Sequence, residues 1–565
     1  MSIKTIFFLI IYSVTTLFAN NGRTPAYAKN GMVVSTSIIA SEVGRDILKK
    51  GGNAIDAVVA TAFALAVTIP QAGNIGGGGF LVLHKTNGDV TTFDFREKAP
   101  LAATKEMYLN KDGKVLNNSN HDSLIAVGVP GTVAGLYKAH KKYGKLDWAD
   151  LVEPAIKLAE EGFPFTWYLY NDVTRDYSEK LAKFASTKRK FINNKGELYQ
   201  PGELWPQPDL AKTLKRIQQH GHDGFYKGET AKLLAKFMRE NGGIITEEDL
   251  AKYQAVERKP VRGNYRGFDV WSMPPPASGG VAILEMLNIL EGYNLKGMGH
   301  NSALYLHLLT EAMRRAFADR AQYLGDPDFN KNMPVQKLIS KEHAKTLRSG
   351  IDFFKASESD SSKFNQTFDK HNTTHFSVVD SEGNAVSLTY TIEQWWGSKI
   401  VAEGLGFFLN NEMGDFNAIP GLTNRKGRIG TKANIIEPEK RMLSSMSPTI
   451  VAKDGKPVLV IGSPGGRTII NTTLQVILNV IDHEMNIGQA IEAGRIHHQW
   501  LPDKTYYEEW QLSPDTKRLY ESMGHILYEK GVTLGRAMGI YVDYESGIIS
   551  GAADTRSPDG GAAGY

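Results

Sequence analysis

The sequence predicts an α+β protein in which helices and strands occupy separate stretches of the chain. Residues 53–68 are apolar on almost every side, which is typical of a buried helix. Asn87-Gly88 and Asp454-Gly455 each separate two runs of strand-forming residues, and such dipeptides favour β-hairpins. Because strands and helices do not alternate one by one, the pattern favours an α+β arrangement over βαβ units.

The individual elements follow from periodicity and from stop signals. Two helices are expected on either side of Gly51-Gly52, and the first hairpin ends directly before Arg96. Ser302 is expected to cap a long helix whose apolar residues recur at helical spacing. The predicted helices are 40–50, 53–68, 281–291, 303–323 and 468–481, and the predicted hairpins are 80–95, 376–391 and 449–461.

The most informative stretch of the chain is 372–391, where Thr373-Thr374 precedes a run of alternating valine, serine and threonine. On this local pattern alone, an ordinary hairpin after a polar loop is the simpler interpretation. A threonine hydroxyl becomes a good nucleophile when its own α-amine is free to act as the base. That chemistry requires a cut in the chain, which we place between Asn372 and Thr373.

Composition excludes several classes of function. Apolar residues make up 42% and charged residues 22% of the 565 residues, as in ordinary globular proteins. Lys and Arg total 65 against 61 Asp and Glu, so no basic excess indicates a nucleic-acid partner. The chain contains no cysteine, which excludes thiol nucleophiles, disulfides and thiolate metal sites.

The N-terminus has the pattern of a signal peptide. Lys4 precedes an apolar run over 6–18, and Ala19 is a suitable cleavage position. The alternatives are a membrane anchor or a buried strand, but the run is too short to span a bilayer. We therefore expect an exported protein, periplasmic or secreted, with no stable membrane span after the signal is removed.

A series of motifs from Gly31 to the C-terminus resembles the γ-glutamyltranspeptidases, a family of N-terminal-nucleophile hydrolases. The motifs, in order, are GGNAIDAVVATAFALAV, GNIGGGGF, DFREKAP, GVPGTVAGL, PPPASGG, ADRAQYLGDPDF, TTHFSVVD, LNNEMGDF, LSSMSPTI and GSPGG. The resemblance implies a four-layer αββα sandwich formed by a precursor that cleaves itself into two subunits. It implies a signal peptide at 1–19, a large subunit at 20–372 and a small subunit at 373–565 that begins with the catalytic threonine.

The resemblance also implies the substrate class and the residues that bind it. The family acts on γ-glutamyl amides such as glutathione and passes the glutamyl group to water or to an amine or peptide acceptor. Arg96 matches the family arginine that holds the substrate α-carboxylate, with Ser444 and Ser445 sharing that carboxylate. Glu412 and Asp415 match the positions that bind the α-ammonium. Glu393 stands where many members have asparagine and would add a further acceptor.

Three more residues match the catalytic machinery of the family. Thr391 matches the threonine whose hydroxyl bonds the nucleophile Thr373, and the two would lie at the same end of the 376–391 hairpin. Gly465 and Gly466 match the oxyanion hole, where two backbone N–H groups face the developing charge. Taken alone, Thr391 is simply a β-favouring residue, and a serine pair such as Ser444-Ser445 is usually a turn.

No cofactor or metal is implied. The run Gly76–Gly79 lacks G-x-G-x-x-G spacing and precedes a hairpin, so a dinucleotide site is rejected. There is no H-E-x-x-H motif, and no Lys-Ser/Thr follows GSPGG at phosphate-loop spacing. Two rival functions remain: a cephalosporin or glutaryl acylase on the same scaffold, and a non-catalytic binding protein that retains the fold.

The segment between Asp415 and Ser444 departs from a common family pattern. In many members this segment is a lid that an aromatic residue closes, whereas here it is glycine-rich and has neither tyrosine nor tryptophan. The corresponding position falls near Arg425-Lys426. A basic lid would exclude water less well, which predicts hydrolysis alongside transfer, unless these basic residues only face solvent.

Overall fold

The computed structural model describes residues 23–360, 373–419 and 431–565. The predicted signal peptide at 1–19, Asn372 on one side of the predicted cut, and Arg425-Lys426 lie outside these residues. Within the described ranges, no helix has both the length and the apolar character needed to cross a membrane.

Eighteen strands run through the described residues. They are β1 (Ala26–Ala28), β2 (Met32–Ser35), β3 (Gly78–His84), β4 (Val90–Phe95), β5 (Phe163–Pro164), β6 (Leu204–Trp205), β7 (Val256–Arg258), β8 (Val261–Tyr265), β9 (Phe268–Ser272), β10 (Thr373–Val379), β11 (Ala385–Thr391), β12 (Thr449–Lys453), β13 (Lys456–Gly462), β14 (Ile496–His497), β15 (Tyr506–Tyr507), β16 (Met538–Asp543), β17 (Ile548–Ala553) and β18 (Gly561–Gly564).

Most of these strands form two seven-stranded sheets in which every paired neighbour is antiparallel. One sheet has the order β1-β17-β16-β13-β12-β9-β8, and the other has the order β18-β2-β10-β11-β3-β4-β7. Each sheet contains strands from before residue 360 and strands from after residue 373. The two segments of the chain therefore share the backbone hydrogen bonds of both sheets.

Eighteen α-helical segments accompany the strands in the described part of the chain. They are α1 (Ile38–Lys49), α2 (Ala54–Thr68), α3 (Thr132–Tyr143), α4 (Trp148–Glu161), α5 (Trp167–Asp176), α6 (Ala185–Lys190), α7 (Pro208–His220), α8 (Asp223–Tyr226), α9 (Gly228–Asn241), α10 (Glu247–Lys252), α11 (Gly279–Leu290), α12 (Leu295–Met298), α13 (Ala303–Tyr323), α14 (Val335–Leu338), α15 (Lys341–Ser349), α16 (Thr468–Ile481), α17 (Ile487–Glu492) and α18 (Pro514–Ser522).

Successive side chains of the central strands enter different parts of the core, because strand residues alternate between the two faces of a sheet. In β2, Val33 packs with α1 and α2, whereas Val34 packs in a cluster that also holds Val460 and Ile540 of the other sheet. On the far side of that other sheet, Leu459 joins a cluster with residues of α11, α13 and α16. Apolar clusters thus lie between the sheets and between each sheet and its helices.

The structure confirms the predicted elements, with shifts of up to three residues at their ends. Asn53 caps α2 with a capping box, and Ser302 caps α13 by accepting a bond from the Tyr305 N–H. Asp454 and Gly455 both have positive φ, as a two-residue hairpin turn requires. The turn at Asn87-Gly88 was predicted with two residues and instead has three, because the Lys85 N–H bonds to the Asp89 carbonyl.

The predicted central hairpin is confirmed as β10 and β11, whose turn is organised by one buried carboxylate. Asp380 accepts hydrogen bonds from the backbone N–H groups of Glu382 and Asn384, at 3.0 and 2.9 Å. Its second oxygen accepts a bond from the Ala54 N–H at the start of α2, at 2.9 Å. Asp380 therefore fixes the turn and also joins the hairpin to the helix beneath it.

We predict that Asp380→Ala lowers the free energy of unfolding by about 2–4 kcal/mol, because it leaves the buried Ala54 N–H and two partly buried N–H groups of the turn without acceptors. Chemical denaturation monitored by fluorescence measures the change. Glu382→Ala, in the exposed part of the same turn, is the matched control and should change stability by less than about 0.5 kcal/mol. Equal effects of the two substitutions would contradict the role of Asp380.

Candidate active site

A cavity of about 310 Å³ lies at the end of the β10–β11 hairpin that is opposite the turn. Nine of the ten site residues predicted from the sequence line it, and the tenth, Gly465, directly precedes Gly466 in the wall. The nine are Arg96, Thr373, Thr391, Glu393, Glu412, Asp415, Ser444, Ser445 and Gly466. Residues that are far apart in the chain are thus brought to one place.

Thr373 and Thr391 meet at the floor of this cavity. They are paired directly across the hairpin, and their Oγ1 atoms are 3.5 Å apart. The Thr391 Oγ1 also accepts a hydrogen bond from the Glu393 N–H at 2.8 Å. The neighbouring Thr374 points elsewhere, since its hydroxyl bonds the Thr36 hydroxyl at 2.6 Å. The register therefore selects Thr373, and not Thr374, as the hydroxyl that faces the cavity.

Gly465 and Gly466 form a tight turn that leads into α16. Their φ angles are 132° and 60°, in the region that L side chains rarely adopt. A Cβ on Gly465 would lie 2.5 Å from the Thr468 Oγ1. The turn therefore requires glycine, and it places backbone amides next to the N-terminus of a helix, where the peptide dipoles favour negative charge.

Arg96 lies at the end of β4 with its side chain almost fully buried, and it contacts three carboxylates. Its guanidinium forms ion pairs with Glu412 and Asp415 and lies 3.5 Å from Glu97. Sequence analysis assigned Arg96 to the substrate α-carboxylate and the acidic pair to the α-ammonium, two groups on the same carbon atom. The structure brings Arg96 and the acidic pair into direct contact with one another, so the two predicted subsites form one charge cluster.

Burial shapes the ionisation of this cluster. It raises the pKa of Glu97 to about 7, although the neighbouring Arg96 opposes that shift. It also raises the pKa of Glu412 well above its usual value, again against the attraction of Arg96. Two carboxyl groups of the cluster therefore hold protons more strongly than ordinary glutamates do, because like charges crowd a site with little water.

Two cations in the wall of the cavity, Arg320 and Arg467, were not predicted from the sequence. Arg320, near the end of α13, donates a hydrogen bond to the Ser445 Oγ at 3.0 Å and another to the Ser278 Oγ at 2.7 Å. Burial, together with repulsion from Arg467, lowers the pKa of Arg320 to about 9. The motif ADRAQYLGDPDF contained Arg320, but a helical arginine carries no local sign of which cavity it faces.

The same arginine supports the serine pair, directly at Ser445 and through Ser278 at Ser444. The Ser444 carbonyl accepts bonds from the N–H and the Oγ of Ser278, and the Ser444 Oγ accepts a bond from the Met446 N–H at 3.1 Å. Ser445 presents its hydroxyl beside Arg320. This wall of the cavity therefore offers hydroxyl groups next to a cation, which is a suitable environment for a carboxylate.

Two groups of side chains have the composition of a metal site, and neither lines the cavity. They are His307, Glu311 and His525, and a second group of Glu285, Asp319 and His343. In the first group the two imidazoles bond each other at 2.8 Å, and Arg315 binds Glu311 at 2.6 Å. In the second group His343 bonds Asp319 at 2.6 Å. These bonds occupy one ring nitrogen of each of the three histidines and one oxygen each of Glu311 and Asp319.

A threonine at the start of a buried strand, with a second threonine and a glycine turn around one cavity, is the arrangement expected above for the class of N-terminal-nucleophile hydrolases. The chain belongs to the gamma-glutamyltranspeptidase family, whose model matches residues 40–565.

Individual relatives support this assignment over almost the whole chain. It is 49% identical over 510 residues to the glutathione hydrolase proenzyme of Pseudomonas sp. (strain A14), covering 89% of this chain and 87% of that protein. It is 47% identical over 543 residues to the glutathione hydrolase proenzyme of Escherichia coli (strain K12), covering 96% and 93%.

Solved structures show the same relationship. The cephalosporin acylase of Bacillus halodurans superposes with a TM-score of 0.83 at 28% identity, over 98% of this chain and 99% of that chain. A chain of the Helicobacter pylori gamma-glutamyltranspeptidase superposes with a TM-score of 0.56 at 46% identity, over 59% of this chain and 94% of its own length.

The buried charge cluster predicts that Arg96→Ala costs stability as well as substrate binding. Without the guanidinium, Glu97, Glu412 and Asp415 face each other uncompensated, and such a loss typically costs about 3–5 kcal/mol. Urea unfolding of the purified variant measures this. The role implied for Arg96 by the family resemblance, holding the substrate α-carboxylate, would by itself predict an effect mainly on binding.

The control for this prediction is Arg96→Ala combined with Glu412→Gln and Asp415→Asn. Neutral amides in place of the carboxylates should recover most of the lost stability, because the charge repulsion is gone. If the triple variant is as unstable as Arg96→Ala alone, the loss comes from packing and not from the uncompensated charges.

Proposed function

We propose that this chain is a γ-glutamyltranspeptidase and glutathione hydrolase that cleaves γ-glutamyl amides through an ester on Thr373. The observation that carries the proposal is the convergence of Thr373, Thr391, the Gly465-Gly466 turn and a set of opposite charges on one cavity. The family assignment and the names of the most similar relatives agree with it.

The nucleophile has to be released by a cut before Thr373. In the precursor, the Thr373 hydroxyl attacks the Asn372 carbonyl, the peptide C–N bond breaks, and an ester forms. Water then opens the ester, leaving a carboxylate on Asn372 and a free amine and hydroxyl on Thr373. The relatives named proenzymes support this proposal, as does the H. pylori chain that spans 59% of this one.

In the cut enzyme the Thr373 amine acts as the base. Its reference pKa of about 7.7–8.0 suits proton transfer near neutral pH. The amine takes the hydroxyl proton while Oγ1 attacks the γ-carbonyl carbon, and the N–H groups at Gly465 and Gly466 stabilise the oxyanion. The leaving amine takes the proton as the C–N bond breaks. Water or an acceptor amine then attacks the ester and restores the hydroxyl.

The charges around the cavity fit the zwitterionic end of a glutamyl substrate. Arg96, Ser444 and Ser445 would receive the α-carboxylate, and the Arg320 contact to Ser445 strengthens that side. Glu393, Glu412 and Asp415 would receive the α-ammonium. Substrate binding would then exchange the internal ion pairs of Arg96 for pairs with the substrate, so that each buried charge keeps a partner.

The remaining features of the proposal concern architecture and location. The two sheets and their flanking helices would form the four layers of an αββα sandwich, with residues 20–372 and 373–565 as its large and small subunits. Residues 1–19 would direct export to the periplasm or the exterior. The partners would be γ-glutamyl compounds and amine or peptide acceptors.

An acylase acting on glutaryl side chains is the rival on this scaffold, and the chain is 38% identical to the acylase ACY 1 proenzyme of Pseudomonas sp. (strain SE83). A glutaryl group has no α-ammonium. It would therefore bring no cation to the three acidic residues at the cavity, Glu393, Glu412 and Asp415. The acidic set therefore favours the glutamyl substrate.

We predict that Thr373→Ala remains a single chain and loses γ-glutamyl transfer by about a thousandfold or more. A denaturing gel, N-terminal sequencing of the smaller band of the parent protein and an assay with γ-glutamyl-p-nitroanilide test this. Thr374→Ala is the matched control, since its hydroxyl faces Thr36, and it should still be cut. Efficient cleavage of the Thr373→Ala variant at the same bond would refute the assignment.

We also expect substantial hydrolysis alongside transfer at neutral pH, because the segment between Asp415 and Ser444 has no tyrosine or tryptophan to exclude water. The measurement is the partition of products from glutathione in the presence of a saturating dipeptide acceptor. Placing a tyrosine at position 425 or 426 should raise the share of transfer. If nearly all glutamyl groups already reach the acceptor in the parent protein, this expectation is wrong.

A further inference from the structure

We propose that His121 is a specificity-determining residue that orients the carboxylates for the α-ammonium of the substrate. This inference rests on the proposed function, because it concerns the side of the cavity that would bind the ammonium. Sequence analysis did not identify His121, which lies in a loop between β4 and α3 and belongs to none of the motifs quoted above.

The position of His121 gives it access to the site. It lines the cavity and is 2% exposed. Its carbonyl accepts a hydrogen bond from the Asn411 Nδ2 at 3.2 Å, which ties its backbone to the residue preceding Glu412. The imidazole is therefore a fixed part of the wall and not a mobile surface group.

The imidazole contacts Glu393 directly. The His121 Nδ1 lies 3.5 Å from the Glu393 Oε2, and both side chains are buried. Glu393 has a φ of 77°, which is unfavourable for a residue with a side chain. The backbone thus turns Glu393 toward the cavity at a cost in free energy, and the imidazole packs beside its carboxylate there.

The same ring packs against the turn that carries the other two acids. Glu412–Asp415 form a single 3-10 turn, and a Cβ on Gly414 would lie 2.2 Å from the Cε1 and Nδ1 of His121. That space is available only because residue 414 has no side chain. His121 therefore lies between Glu393 and the Glu412–Asp415 turn, and it contacts both parts of the acidic set.

This placement has a consequence for substrate choice. A carboxylate that is held in one orientation binds an ammonium better than one that must first be ordered, because less conformational freedom is lost on binding. The benefit applies only to substrates that carry the α-ammonium. His121 should therefore raise the preference for γ-glutamyl over glutaryl compounds, while the chemical step at Thr373 is unaffected.

The test compares His121→Ala with the parent protein on two chromogenic substrates, γ-glutamyl-p-nitroanilide and glutaryl-p-nitroanilide. For the γ-glutamyl compound, we expect KM to rise about tenfold with kcat within about twofold. For the glutaryl compound, both constants should stay within about twofold. The matched control is His220→Ala, at an exposed histidine at the end of α7. It should leave KM and kcat unchanged for both substrates.

Two further variants separate orientation from a general loss of structure. Gly414→Ala keeps His121 and every acid but displaces the ring, so it should raise the same KM in the same direction. Glu393→Gln removes the carboxylate that His121 holds. When His121→Ala and Glu393→Gln are combined, KM for the γ-glutamyl compound should rise by less than the product of the two separate increases, because each residue acts through the other.

The proposal is overturned if His121→Ala changes KM by the same factor for both substrates. It is also overturned if the effects of His121→Ala and Glu393→Gln on KM multiply fully when combined. Completeness of the cut before Thr373 in each variant checks that folding is intact. If the parent protein does not turn over the γ-glutamyl anilide at all, the proposed function fails instead, and the two failures are thereby distinguished.

Discussion

The antiparallel pairing of β10 with β11 is the constraint on which the rest of the site depends. It places Thr373 opposite Thr391 at one end of a hairpin whose other end is fixed by Asp380. The hairpin lies inside a seven-stranded sheet, between β2 and β3. Because β-strands in the middle of a sheet are bonded on both sides, the two hydroxyls are held by a rigid element and not by a loop.

The second constraint is electrostatic. One buried arginine contacts three carboxylates, and another cation, Arg320, bonds the serine wall. Burying this many charges is costly unless each finds a partner. The fold meets that requirement by placing opposite charges in contact. A zwitterionic substrate would exchange these internal pairs for pairs with its own charges, so that each buried charge keeps a partner.

Much of this arrangement could be predicted from the sequence, and the reasons for the exceptions are physical. Periodicity, capping residues and turn residues identified α2, α13 and the three hairpins, since these signals are local. The motifs located nine residues that line the cavity. Direct pairing of Arg96 with Glu412 and Asp415 was missed, because a motif gives the type of a residue but not its nearest neighbour when no ligand is bound.

His121 and Arg320 were missed for a related reason. Each is one polar residue in a loop or on a helix, and its role depends on what the fold places beside it. For His121 the informative neighbour is Gly414, almost 300 positions later in the chain. The imidazole ring occupies the space that a side chain at residue 414 would fill. The turn at Asn87-Gly88 differs from prediction because the same dipeptide suits more than one hairpin loop.

Each sheet contains strands from both segments of the chain, and this arrangement affects how the protein could refold after denaturation. Both sheets contain strands from before residue 360 and strands from residue 373 onward, and β18, the last strand, pairs with β2, near the start. An intact chain folds in a unimolecular reaction. Two separate polypeptides would have to find each other first, so their recovery would depend on concentration and compete with aggregation. Cutting after folding would therefore remove the unimolecular route back to the folded state. The lifetime of the folded protein would then be set by its rate of unfolding.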